Sequence, residues 1–254
     1  ALQKLHCQHL LLQETVQQTD VRISVADDIT VGARILLFGE EDAPNQPLLL
    51  YFHGNGETVD DYVRPEVFEC FTSSKVSILV VDFRGYGFSS GGGPPSLACI
   101  HIDGERVCDA LPDLLQARGL PWPWPGGLFL FGRSMGSVVA CHLAAVRPWM
   151  FTGVILDAAL CGSYAPGASP PPSASTAEVV RNEEVEEAFA TFSAFCVSLV
   201  DAALASFKLP SIAHFVHFLG NEDKIRGYDR RLLLLHGTAD MLVPFGHAQR
   251  LYDA

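Results

Sequence analysis

The sequence predicts a doubly wound, mostly parallel α/β sheet built as one domain over residues 1–254. Apolar runs of strand length, helical stretches between them and turn residues at the junctions carry that expectation. Leu48–Phe52, Val76–Val81, Gly127–Phe131, Gly153–Leu156 and Leu232–Leu235 are nearly continuous apolar runs. A strand covered by helices on both faces needs apolar side chains at every position, which such runs supply.

Ahead of these, Val21–Val25 and Val31–Phe38 read as two strands joined by a turn at Asp27-Asp28. Helical stretches are expected over Val59–Phe71, Cys99–Arg118 and Ser137–Val146. Ser90–Pro95 and Pro121–Gly127 are Gly- and Pro-rich loops. Ala165–Ala177 is rich in Pro, Ser and Ala. Glu178–Phe207 then reads as one long helix or two shorter ones, stopped by Pro210. Its acidic start suits a helix N-terminus. Phe189, Phe192, Phe195 and Leu199 follow at helical spacing.

Composition narrows the function classes. The chain has 254 residues, 48% of them hydrophobic and 18% charged, which fits a globular body with a sizeable core. A formal net charge of −12 argues against a nucleic-acid partner, because phosphate contacts need a basic face. The seven cysteines follow no metal-binding or disulfide spacing. Cys70, Cys99, Cys108, Cys141 and Cys196 sit in apolar or helical surroundings and read as buried free thiols, which favours a reducing compartment. No apolar run is long enough to span a membrane, and no signal peptide is visible. A cytoplasmic location is expected, with membrane attachment through a further segment left open because the chain starts at Ala1.

Three motifs carry chemistry. Gly132-Arg133-Ser134-Met135-Gly136 is a G-x-S-x-G between an apolar strand and a helix. A very sharp strand-to-helix turn lifts a serine Oγ into the open and needs small residues on both sides, so Ser134 is the candidate nucleophile. Phe52-His53-Gly54-Asn55-Gly56 is a Gly-rich turn after an earlier strand. There the N–H of Asn55, with that of Met135, can form an oxyanion hole, while His53 is read as loop support. His236-Gly237-Thr238-Ala239-Asp240 ends a third strand with an acid, the order in which an Asp orients a catalytic imidazole. Asp240 is the candidate acid, and His236 is read as a buttress of the loop.

Together with Asp82–Ser89, these motifs resemble α/β-hydrolases of the serine-aminopeptidase-like group. The likeness is greatest to the α/β-hydrolase-domain proteins that include acyl-protein thioesterases, and it runs from about Val21 to the end. The resemblance implies cleavage of carboxylic esters or thioesters through an acyl-serine, on a small-molecule or acyl-protein substrate. It implies no metal or organic cofactor. It gives Asp82 and Arg84 a structural part, and it places a lid or cap insertion, residues 161–228, after the Gly153–Ala159 strand. The Phe stripe of that insertion either roofs an acyl pocket or packs on the body. The family's catalytic histidine follows one more strand beyond the acid, so the resemblance puts it past Ala254, with the last strand and helix of the sheet. His247 lies in Val243–Leu251, which looks like the helix after the acid loop. It is a candidate base only if that short connection turns one ring toward both Asp240 and Ser134. A serine aminopeptidase-like activity, and an inactive hydrolase fold used for binding, are the alternatives.

Overall fold

A computed structural model describes residues 16–38, 40–63, 71, 74–91, 99–162, 220–240, 242–243 and 245–254. The expected elements over Ala165–Ala177 and Glu178–Phe207, with Cys70 and Cys196, lie outside the described residues. The strands are β1 (Val16–Ala26), β2 (Ile29–Phe38), β3 (Leu48–Phe52), β4 (Ser77–Val81), β5 (Leu128–Arg133), β6 (Gly153–Asp157) and β7 (Arg231–Leu235). The helices are α1 (Ile100–Gln116), α2 (Gly136–Val146), α3 (Asn221–Ile225) and α4 (Gly246–Asp253).

All seven strands form one sheet in the order β1-β2-β4-β3-β5-β6-β7. The hairpin β1-β2 is antiparallel and β2 joins β4 antiparallel, whereas β4, β3, β5, β6 and β7 run parallel. This is an α/β-hydrolase-type sheet with helices on its faces.

Alternation along the strands splits the core in two. Leu48, Leu50 and Phe52 of β3 pack with Val107, Leu111 and Leu143 from the helices. Leu49 and Tyr51 point the other way, into a second cluster with Tyr62 and Phe131. There the Tyr51 and Phe131 rings stack at 4.4 Å, an aromatic pairing that fixes the β3–β5 contact on that face.

Two elements depart from expectation. The stretch starting at Val59 begins as a 3-10 helix, Val59–Val63. Asp61 Oδ2 takes the Thr58 N–H and Asp82 Oδ1 takes the Val59 N–H, so side chains hold the amides at its start. β7 forms as a strand, but among the described residues it is an edge of the sheet, and Leu232, Leu233 and Leu235 are exposed rather than buried on both faces.

The parallel register sets where the site lies. Phe52 is opposite Gly132, Gly132 opposite Leu156, and Leu156 opposite Leu234. The loops leaving β3, β5, β6 and β7 therefore emerge side by side at the carboxyl end of the sheet, where open α/β sheets form their clefts.

Candidate active site

Ser134 stands on the turn between β5 and α2 with φ +48°. That is the left-handed region, which costs an L-residue with a side chain roughly 1–2 kcal/mol. The turn is tight enough to demand glycine on both sides. A Cβ on Gly132 would come within 2.7 Å of Ala140 Cβ, and one on Gly136 would collide with Phe52 O and sit 2.9 Å from His53 O. Ser134 is half-buried, and its N–H donates to Asp157 O (2.9 Å) at the end of β6.

The loop after β3 lies against this turn: a Cβ built on Gly54 would be 3.6 Å from Ser134 Cβ. Asn55 is exposed, with its Oδ1 accepting from the Tyr86 hydroxyl (2.6 Å). Met135 is the N-cap of α2 and half-buried. His53 is fully buried, Nδ1 2.8 Å from Gly54 O and Nε2 3.4 Å from Asp82 Oδ1. That is the position of a loop support.

Glu57 and Arg133 were not singled out by the motifs. Glu57 Oε2 accepts from the Gly54 N–H (2.7 Å) and the Tyr62 hydroxyl (2.7 Å), and Oε1 accepts from Arg133 Nε (2.9 Å). Arg133 Nη1 donates to Asp157 Oδ2 (2.7 Å). The variable residue of G-x-S-x-G thus straps the β3 loop to the end of β6. Burial raises the Glu57 carboxyl pKa, but Tyr62, the Gly54 N–H and Arg133 outweigh it and hold the group below its ordinary value. The signal was present in Gly54-Asn55-Gly56-Glu57. An acid three residues after a turn's first N–H can reach back to it, as in a capping box.

Asp240 closes the loop after β7. Its Oδ1 accepts from the N–H groups of Leu242 and Val243 (both 2.9 Å), and its Oδ2 is 3.8 Å from His236 Nε2. His236 Nε2 donates to Val243 O (2.6 Å), bracing the same loop.

His247 is placed differently from a triad base. It is buried in α4, and its Nδ1 accepts from the Cys161 N–H at 3.0 Å. A base oriented by an acid donates from Nδ1 to the carboxylate and accepts the serine proton at Nε2. In His247 the Nδ1 atom is an acceptor taken by main chain. Burial first, then His236 and Arg250, lower its pKa to about 4, so the ring is neutral near pH 7.

The other described histidines also have partners elsewhere. His142 Nε2 faces Glu105 Oε1 at 2.8 Å, and His101 stacks on His142 at 4.1 Å. His6, His9, His214 and His217 lie outside the described residues. Among the described residues no group of three or more His, Cys, Asp or Glu could hold a metal ion. The described cysteines are unbridged, and burial raises the thiols of Cys108 and Cys141 to about 12.

A mostly parallel sheet with a glycine-flanked serine at one strand end, and an acid loop two strands away, defines an α/β-hydrolase. The chain belongs to the serine aminopeptidase S33 family, whose profile matches residues 43–187. It is 26% identical to the lysophosphatidylserine lipase ABHD12 of Rattus norvegicus over 211 residues, 83% of this chain and 46% of that protein. The chain thus spans about half the length of that relative. Among solved structures it is similar to the Pyrococcus furiosus esterase Pf2001, with TM-score 0.60 and 16% identity, over 96% of this chain and 78% of the esterase. It is also similar to the Pyrococcus horikoshii acylaminoacyl peptidase, with TM-score 0.59 and 13% identity, over 96% of this chain and 36% of the peptidase. One fold therefore carries both ester and peptide chemistry, and the fold alone does not choose between them. No described helix is long and apolar enough to cross a membrane.

Proposed function

We propose that this chain carries the serine-hydrolase machinery for carboxylic esters or thioesters, with Ser134 as nucleophile. The observation that carries the reading is the φ of +48° at Ser134 between two glycines that no larger residue could replace. Strain of this kind persists only where the surroundings over-determine it, and it concentrates at reactive residues. In the proposed reaction Ser134 Oγ attacks the acyl carbonyl and its proton passes to a histidine. The N–H groups of Asn55 and Met135 bind the oxyanion, and the alcohol or thiol leaves with the proton. Water then attacks the acyl-serine, regenerating Ser134 and releasing the acid. Asp240 orients the histidine, one carboxylate oxygen anchored on Leu242 and Val243 N–H groups and the other left to face the ring. His247 is not given that part, because its Nδ1 is held by Cys161 N–H. The lipase name of the mammalian relative favours a lipid ester over an aminoacyl substrate.

The second reading is a hydrolase fold that binds without turnover. It draws on the partners of the described histidines: His53 faces Gly54 O, His142 faces Glu105, His101 stacks on His142, His236 donates to Val243 O and His247 accepts the Cys161 N–H. A fluorophosphonate probe on the folded chain and on Ser134→Ala separates the two. Labelling of the parent alone supports the hydrolase; no labelling of folded parent overturns the reading of this chain as a working enzyme by itself. Turnover of a p-nitrophenyl ester in preference to an aminoacyl-anilide then distinguishes the esterase from the aminopeptidase.

A further inference from the structure

Resting on the nucleophile reading, we propose that Asn221 is a positioning residue for Ser134, acting through the Ser137 hydroxyl. The residue lies outside every motif that marks the site in the sequence.

Among the described residues, Ser137 holds the carbonyl of Ser134. Ser137 Oγ donates to it at 2.6 Å and Ser137 N–H at 3.0 Å. The Ser137 hydroxyl has one proton and two lone pairs. One lone pair accepts the Leu160 N–H at 3.1 Å; the other faces Asn221 Nδ2 at 3.5 Å. Asn221 Nδ2 also donates to Leu160 O at 2.7 Å. Ser137 and Asn221 are both fully buried, so neither water nor another rotamer offers an alternative partner at low cost.

The amide's direction is fixed from behind. Lys224 Nζ lies 3.4 Å from Asn221 Oδ1 and 3.4 Å from His101 Nε2. The ammonium side thus takes the carbonyl end of the amide and leaves the NH2 end for Leu160 and Ser137. Burial lowers the Lys224 pKa to about 8, in keeping with a side chain packed inside rather than extended into solvent.

The loop that Asn221 grips is the one after β6. Glu222 N–H donates to Cys161 O at 3.0 Å, and Cys161 N–H donates to His247 Nδ1 at 3.0 Å. Asp157, the last residue of β6 just ahead of that loop, accepts the Ser134 N–H. Both main-chain groups of Ser134 are therefore referred to the end of β6 and the loop it leads into, and α3 and α4 hold that loop in place. An Asn221 that no longer donates frees Leu160 O and loosens the Ser137 hydroxyl, and the strained Ser134 turn loses part of what confines it.

The test compares Asn221→Ala, Asn221→Asp and Glu222→Gln for the rate constant of fluorophosphonate labelling, with thermal unfolding measured on each. Glu222 is the control. Its side chain pairs with Arg250 at 2.6 and 2.5 Å, so Glu222→Gln weakens the docking of α3 without touching Ser137. Asn221→Asp keeps the shape but replaces the donor with an acceptor facing Leu160 O. Both Asn221 variants should label roughly ten- to a hundredfold more slowly than the parent, since small misplacements of reacting groups cost rates of that order. Glu222→Gln should label within about threefold of the parent. In a Ser137→Ala background, Asn221→Ala should add little further slowing. Near-parental labelling by Asn221→Asp overturns the proposal. So does a slowing in Glu222→Gln as large as that in Asn221→Ala at equal loss of thermal stability. If the parent itself does not label, the nucleophile reading fails, and amide exchange across Gly132–Ala140 decides the coupling. Faster exchange in Asn221→Ala than in Glu222→Gln upholds it, and equal exchange rejects it.

Discussion

Replacing Ser134 with glycine should stabilise the fold while abolishing the proposed chemistry. At φ +48° the serine pays roughly 1–2 kcal/mol for its Cβ, a penalty glycine does not have. Glycine gives back part of that through its freer unfolded chain, about 0.5–1 kcal/mol. The net gain expected for Ser134→Gly over Ser134→Ala is about 1 kcal/mol, because alanine keeps the Cβ and loses only the hydroxyl. For a domain of this size that gain raises the melting temperature by roughly 2–4 °C. The assay is thermal unfolding of parent, Ser134→Ala and Ser134→Gly followed by circular dichroism, with probe labelling recorded on each. Lys75 has φ +54° on an exposed turn away from the site, so Lys75→Gly should gain a similar increment and keep its labelling. If Ser134→Gly is no more stable than Ser134→Ala while Lys75→Gly does gain, the turn is not strained. The principal support for Ser134 as nucleophile then goes.

Other perturbations test the surrounding parts. Gly136→Ala should destabilise by about 1–3 kcal/mol or more by driving a methyl into Phe52 O, read as a lowered urea midpoint with unchanged slope. His247→Leu should cost about 1–3 kcal/mol by stranding the buried Cys161 N–H, and His247→Gln, which keeps an acceptor, should cost less. Because the folded ring titrates near 4, its contribution is fully present above about pH 6.5. It is lost as pH falls from there toward 4, by up to about 1.4 kcal/mol per pH unit, since the unfolded chain takes up a proton the folded ring refuses. The acid limb of stability against pH should therefore be shallower in His247→Gln by one proton, and an unchanged limb contradicts the buried neutral ring. Asn55→Ala should slow labelling less than tenfold, as the main-chain donor stays and only the Tyr86 bond is lost, whereas Glu57→Ala, which releases the Gly54 N–H, should slow it more. The reverse order would put the Asn55 amide, not its main chain, at the oxyanion.

What could be read from the sequence was what the chain encodes locally. Leu48–Phe52 matches β3 residue for residue because an apolar run of that length buried on both faces has few other uses. The turn at Asp27-Asp28 joins β1 and β2 for the same kind of local reason. At the site, Gly132 and Gly136 carry their meaning in their own positions, since only the backbone path demands them. Leu232–Leu235 misled in one respect only: the run specifies a strand, but its exposure depends on what lies beside β7, and no property of four leucines encodes that. The supports of the site were invisible for a related reason. Arg133 bridges Glu57 and Asp157 across three strand ends, and Asn221 meets Ser137 from the far side of residues 163–219, so each becomes a partner only after the sheet has ordered its strands.

His247 shows how far residue type and spacing can carry an assignment. It follows the acid loop on a helix close to Asp240, and nothing along the chain tells a base from a brace. The distinction lies in one atom. A base must have Nδ1 free to donate to an acid, and in His247 that nitrogen accepts the Cys161 N–H inside a buried contact. The residue therefore fastens the loop after β6, which follows the Asp157 carbonyl that accepts the Ser134 N–H and whose Leu160 N–H donates to the Ser137 hydroxyl. Removing it should soften the nucleophile's support without altering the proton path. On this reasoning His247→Gln keeps probe labelling within about tenfold of the parent, whereas loss of a true general base would remove labelling by a factor of order a thousand or more.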